Sequence, residues 1–168
     1  MFGTAEVTAV AKVLLKLRGD YSNPPKQERE LDPLFFAYLK GHLGQVKVSR
    51  QEPVYFANSK KPSRIDYRVG GPNPSFIELA VRPPTGIQEI MGPQNLKELK
   101  KLSKIPTTKA KRRILLLLDL RKTAIAKTKL KASYDPLHVG PGKKGRYPVT
   151  VLYVHTDTHY SFPWSPFK

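Results

Sequence analysis

The sequence contains no cysteine, so neither a disulfide framework nor a thiolate zinc site can stabilise or equip it. It has no run of about 18 apolar residues, the length a membrane helix needs. Glu6 and Lys12 interrupt the N-terminal segment, unlike the apolar core of a secretory signal. These absences lead us to expect a cytoplasmic protein without membrane contact.

Acidic residues are also scarce. Thirteen Asp and Glu stand against thirty Lys and Arg, a formal charge of +17 with a pI near 10.1. A charge excess of this size opposes compaction and is best rationalised by a polyanionic partner, with nucleic acid, and DNA first, as the expectation. The basic residues recur in clusters at 60–61, 97–104, 109–113, 122–131 and 143–146, with few acids between them. Lys60, Lys61, Lys100, Lys101, Lys104, Arg112, Lys143 and Lys144 are the candidate phosphate contacts, which would give affinity without sequence readout. Tyr67, Tyr134, Tyr147, Trp164 and Phe167 offer rings either for base stacking or for the core.

The chain has 168 residues, 39% of them hydrophobic, enough for one domain over residues 1–168 with a proper core. Apolar periodicity predicts helices over 4–18, 27–43, 93–105 and 123–132 and strands over 45–56, 112–120 and 148–160. Asp32-Pro33 has the form of an N-cap and first helical residue, so the second helix is expected to start there or to kink. Pro53 suggests an edge or a bulge. The Ile-Leu-Leu-Leu-Leu run at 114–118 has the continuous apolarity of a strand buried on both faces.

The most informative stretch is 64–82, RIDYRVGGPNPSFIELAVR. Two alternating runs flank a Gly-Gly-Pro-Asn-Pro turn, the pattern of a β-hairpin. Alternation places Ile65, Tyr67 and Val69 on one face with Ile77, Leu79 and Val81, and leaves Asp66 and Glu78 together on the other. With the turn centred near Pro72, the two carboxylates face each other across the hairpin at a Cβ separation of roughly 5 Å. Like charges that close need a cation between them, either a hard divalent ion or the arginines of the same parity, Arg64, Arg68 and Arg82.

Asp66 and the Phe-Ile-Glu-Leu-Ala segment at 76–80 resemble the signature of the PD-(D/E)xK nuclease superfamily, with Ala80 where that family carries its lysine. The order helix, three strands, helix, strand over about residues 27–120 resembles the same family's α-β-β-β-α-β core. The resemblance implies an α/β sandwich with a mixed central sheet, extended by an N-terminal helix at 4–18 and a C-terminal helix and strand within 121–168. It further implies Mg²⁺ or Mn²⁺ held by Asp66, Glu78 and the Leu79 carbonyl, and metal-dependent hydrolysis of DNA phosphodiesters by a homodimer or a subunit of a larger complex. For the absent lysine, Arg82, Lys97 or Lys100 could substitute, and Gln94 stands where a water- or phosphate-orienting glutamine is common. Glu28 or Glu30 would supply the acid that often precedes the sheet. A non-catalytic nucleic-acid-binding protein and an RNA-associated structural protein remain open beside the nuclease.

One further cluster, His155, Asp157 and His159, has the spacing of one strand face and is a second candidate metal site, or else a solvated polar face.

Overall fold

The computed structural model describes residues 2–56, 59–86, 90–138 and 146–167. Among them the elements run α1 (Thr4–Arg18), α2 (Glu28–Leu43), β1 (Val48–Val54), β2 (Ser63–Val69), β3 (Ser75–Arg82), α3 (Gly92–Ser103), β4 (Arg112–Asp119), α4 (Lys127–Tyr134), β5 (Val149–Val154) and β6 (His159–Trp164). The strands lie in sequence order in one mixed sheet. Its inner joints, β3 to β4 and β4 to β5, are parallel and its outer joints antiparallel. The arrangement is a mixed α/β sandwich with helices on both faces.

The run at 114–118 explains why both faces must be covered. Ile114, Leu116 and Leu118 pack with α1 and α2, while Leu115 and Leu117 pack with α3 and α4, and all five are fully buried. Each such side chain contributes roughly 2 kcal/mol by leaving water, so a β4 bare on either face would forfeit several of these. Val10, Leu14, Leu31 and Phe35 cover the first face, and Leu99, Leu102, Leu130 and Tyr134 the second. The α3 crossover sets β4 parallel to β3 from Ser75 opposite Arg112 to Arg82 opposite Asp119, as expected of a helical connection. Both edge strands carry a proline, Pro53 in β1 and Pro163 in β6, which hinders pairing with a further chain.

Four expectations are corrected. The helix α2 spans Glu28–Leu43, as the periodicity over 27–43 predicts, and runs through Pro33, so it is the alternative start at Asp32 that fails; Glu30 accepts from the Gln27 amide at 3.1 Å. Asp32 is therefore not a cap but pairs with Arg50 and the Tyr67 hydroxyl. The first strand is confined to Val48–Val54. The C-terminal strand is a hairpin: β5 ends at Val154, and the His155 amide donates to the Thr158 carbonyl at 2.9 Å before β6 begins. Finally, Ile65 joins the core beneath α3, on the face opposite Tyr67 and Val69.

Beside Ile65, the ladder is interrupted at Asp66. The strand β2 pairs with β1 on both sides of Gln51, but the Gln51 and Asp66 pair drops out of the ladder, and Gln51 has φ of 51°. A left-handed glutamine is uncommon and costs roughly 1–2 kcal/mol. On its other side β2 pairs with β3 only from Tyr67 opposite Ile77 to Val69 opposite Ser75. Beyond Tyr67 the two strands part, and the gap between them is the site.

Candidate active site

The register Tyr67 to Ile77, continued by one residue, sets Asp66 opposite Glu78. The Asp66 carboxylate occupies the place of a ladder partner: its Oδ2 accepts from the Leu79 amide at 2.8 Å, and its Oδ1 accepts from Gln51 Nε2 at 3.2 Å. The amide and carbonyl of one strand residue project from the same edge, so the Leu79 carbonyl also opens toward this gap. A cavity of about 230 Å³ lies here, lined by Glu28 from the start of α2, Asp66, the β3 segment from Glu78 to Val81, and Gln94, Asn95, Glu98 and Lys101 from α3. Gln94, Glu98 and Lys101 share a helical stripe by their i, i+4, i+7 spacing. Asn95 is anchored by donating to the Met91 carbonyl and the Tyr134 hydroxyl, each at 3.2 Å, which fixes the first turn of α3 over the sheet.

Lys101 is the cation of this site. Its Nζ lies 2.6 Å from Glu78 Oε1 and 2.6 Å from Glu98 Oε2, and donates to the Arg64 carbonyl at 2.9 Å. Ala80, at the position where the resemblance expects a lysine, is small and lines the same cavity, leaving space for a side chain arriving from α3. Glu78 Oε1 and Glu98 Oε2 are both buried, and each has the Lys101 ammonium as its partner. One ammonium thus faces four carboxylates, Glu28, Asp66, Glu78 and Glu98, within a chain of strongly positive charge.

The imbalance shows in the acidities. Burial, then the neighbouring Asp66 charge, pushes Glu78 up to about 10 against the pull of Lys101. Burial followed by Asp66 pushes Glu28 up to about 7. For Lys101 burial acts downward, but Glu78 and Glu98 outweigh it and hold the ammonium above its ordinary value. Glu78 is the less compensated member of the pair, because Lys101 is divided between two acids while Glu78 also faces Asp66.

The other residues named from sequence lie elsewhere or at the margin. Gln94 lines the cavity. Lys97, Lys100 and Lys104 line a neighbouring cleft, which Lys101 shares. Arg82 pairs with Asp119 at 3.0 Å, at the far end of β3. Glu30 is spent on the N-terminal amides of α2. Lys60 and Lys61 are exposed ahead of β2. Arg112 abuts Gly3 at the start of α1, on the other face from α3. Arg113, the last of the basic cluster at 109–113, is buried, donates to the Ile105 carbonyl and lies over the Tyr147 ring. Lys143 and Lys144 lie outside the described residues. Tyr67, Tyr134 and Trp164 are buried and belong to the core, not to a stacking surface.

His155, Asp157 and His159 do not share a strand face. His155 is buried at the end of β5, with Nε2 donating to the Arg121 carbonyl at 2.8 Å and Nδ1 accepting from the Asp157 amide at 3.1 Å. Asp157 and His159 are exposed. Among the described residues no three His or acidic side chains stand ready to hold a metal, here or at the hairpin. Nor, among them, is any helix long and apolar enough to cross a membrane.

Sequence reasoning placed Asp66, Glu78 and Gln94 at one point and assigned Lys101 to the surface. The α3 stripe at 94, 98 and 101 is the signal that would have found it. No protein-family model, no curated protein and no solved structure matches this chain.

Proposed function

We propose that this pocket is the active site of a metal-dependent phosphodiesterase acting on nucleic acid, built on the plan of the PD-(D/E)xK nucleases. The observation that carries the reading is Lys101 Nζ at 2.6 Å from Glu78, which supplies from the following helix the ammonium that Ala80 cannot supply from the strand. The element order α2, β1, β2, β3, α3, β4 agrees with it.

The donor set suits a hard divalent ion. Asp66, Glu78 and the Leu79 carbonyl offer oxygen only, and the four carboxylates about this cavity outnumber the single Lys101 ammonium. Mg²⁺ or Mn²⁺ bound there would activate water and neutralise charge on the phosphoryl oxygens. Asp66 is held in place by the Leu79 amide and Gln51, and so is pre-oriented as a ligand. Lys101 brings a positive charge beside the reacting phosphate, and Glu98 holds that side chain from below. Gln94 can donate to a phosphoryl oxygen or to water from the same helical stripe. The +17 chain concentrates a polyanion near a pocket that is itself acidic.

The test is cleavage of plasmid and labelled oligonucleotides with Mg²⁺ or Mn²⁺, paired with calorimetric metal titration. Wild type is expected to cut, and Asp66→Asn and Glu78→Gln to lose both cutting and metal binding while retaining nucleic-acid binding. A wild type that cuts nothing with either ion would sink the proposal. A second reading, a non-catalytic binder, is favoured by one feature: Lys101 seated between Glu78 and Glu98 already offsets part of the charge a metal would offset. Tight nucleic-acid binding without cutting, indifferent to Asp66→Asn, selects it.

A further inference from the structure

Next to the acidic pocket lies a second cavity of quite different character. It encloses about 520 Å³ and is lined by Phe56, Ser63, Leu96, Lys97, Lys100, Lys101 and Lys104. Lys97, Lys100 and Lys104 are exposed and follow one another along the outer side of α3 and its end, while Leu96 and Phe56 are half-buried and form an apolar floor. The Lys104 Nζ stands 5.4 Å from the centre of the Phe56 ring. Lys101 is common to both cavities, and its Nζ reaches Glu78 at 2.6 Å, so the cleft adjoins the acidic site at this side chain. At the far end of α3, Arg146 donates to the Lys100 carbonyl at 2.8 Å and adds a further positive charge.

We infer that this cleft seats an unpaired nucleic-acid strand, with a base on the Phe56 and Leu96 floor and its backbone phosphates along Lys97, Lys100 and Lys104. Three facts select a single strand over a duplex. An aromatic floor recognises the face of a base, and bases inside a helix present their faces to one another and not to protein. Ammonium groups flanking an apolar floor match a nucleotide, which carries a flat ring and a charged phosphate on one unit. The volume suits a small ligand or a nucleotide, within the roughly 300–1,000 Å³ typical of such sites, and not the width of a duplex. The inference deepens the proposed function by naming the form of the substrate and rests on it only for the cleavage step.

The experiment measures binding apart from cleavage. Fluorescence anisotropy in Ca²⁺, on the Glu78→Gln background, compares a labelled oligothymidylate with a duplex of equal length, and then with the same single strand carrying abasic positions. Base stacking on an aromatic ring contributes about 1–3 kcal/mol, so Phe56→Ala should weaken single-strand binding roughly 5- to 150-fold while Phe56→Trp restores it. Abasic positions should reproduce the loss with the protein unaltered, which removes folding of the variant as an explanation. Replacing Lys97, Lys100 and Lys104 with alanine should flatten the salt dependence of single-strand binding by about two units of slope. Duplex bound as tightly as the single strand, or single-strand binding untouched by both Phe56→Ala and abasic positions, overturns the inference. Failure of the wild type to cut with Mg²⁺ while these binding differences hold overturns the catalytic reading alone.

Discussion

Two buried carboxylates on neighbouring strands, Glu78 in β3 and Asp119 in β4, are each almost wholly inaccessible, at 2% and 1% exposure. Their surroundings differ completely. Asp119 accepts from Arg82 at 3.0 Å and from the Tyr153 hydroxyl at 2.7 Å on one oxygen, and from the Arg121 amide at 3.0 Å on the other. Arg121 in turn reaches the Pro83 and Gly86 carbonyls, so this carboxylate ties together the loops after β3 and β4. Glu78 has a share of one lysine and three other acids about the same cavity. A satisfied buried acid holds a fold together, whereas an under-compensated one is held in place by the fold at a cost. The second kind is where a ligand is to be sought.

The largest effects should separate the two acids outright. Glu78→Gln is expected to lower cleavage by a thousandfold or more and to leave thermal stability little changed, because burial already holds Glu78 toward its neutral form and Lys101 keeps Glu98 as a partner. Asp119→Ala is expected to do the reverse, costing about 3–5 kcal/mol by stranding Arg82 and Tyr153. For a chain of this length that is a fall in Tm on the order of 10 °C. Melting curves and cleavage rates on the same preparations decide it, and the comparison fails if Glu78→Gln melts as low as Asp119→Ala. Next in size is Lys101→Ala, which should cut turnover roughly 100- to 10,000-fold, well beyond Lys97→Ala. It should also destabilise, since Glu78 and Glu98 lose their counter-ion. Adding Glu78→Gln to Lys101→Ala should recover stability but not activity, a non-additivity that a double-mutant cycle reads directly.

The hairpin itself was legible because two alternating runs flank a turn near Pro72, and the register from Tyr67 opposite Ile77 to Val69 opposite Ser75 centres there. The buried run at 114–118 and the crossover helix were legible for similar reasons. Lys101 was not, because a helix bearing Lys97, Lys100, Lys101 and Lys104 presents four chemically identical candidates. Only the angular position of each relative to the buried Leu99 and Leu102 distinguishes them. The departure at Ile65 escaped because residues 65–69 alternate apolar and polar without a break, so nothing in the pattern separates Ile65 from Tyr67 and Val69. The β5 to β6 turn escaped because residues 155–158 contain neither glycine nor proline, while their alternation continues that of the strand before them.

A smaller effect concerns pH. Glu78 and Glu28 bind protons more tightly folded than unfolded, Glu78 up to about 10 and Glu28 up to about 7. Between the ordinary carboxylate range and those values the native state holds more protons than the unfolded chain, so metal-free stability should fall as pH rises from about 5 toward 8. Glu78→Gln should flatten the slope, and saturating Mg²⁺ should oppose it by favouring the ionised acids. Urea titrations at several pH values, with EDTA and with Mg²⁺, measure it. A metal-free stability that climbs over this interval with the same slope in wild type and Glu78→Gln would mean the pocket acids are better compensated than their contacts indicate.

The smallest effect tests whether burial and partners discriminate where sequence spacing does not. Asp157, with its side chain 78% exposed, and His159 sit in solvent around the β5 to β6 turn, whereas His155 is buried and occupied on both ring nitrogens. Asp157→Ala and His159→Ala should each change stability by no more than about 0.5 kcal/mol and leave divalent-ion affinity where it was. His155→Ala should cost about 1–3 kcal/mol, because the Arg121 carbonyl loses its donor. That carbonyl belongs to the segment linked to Asp119, so the loss should appear as faster amide exchange near Arg121 as well as in Tm. Were Asp157→Ala or His159→Ala to reduce Mg²⁺ affinity as much as Asp66→Asn does, exposure would have proved a poor guide, and the metal would have to be sought at the turn instead of between β2 and β3.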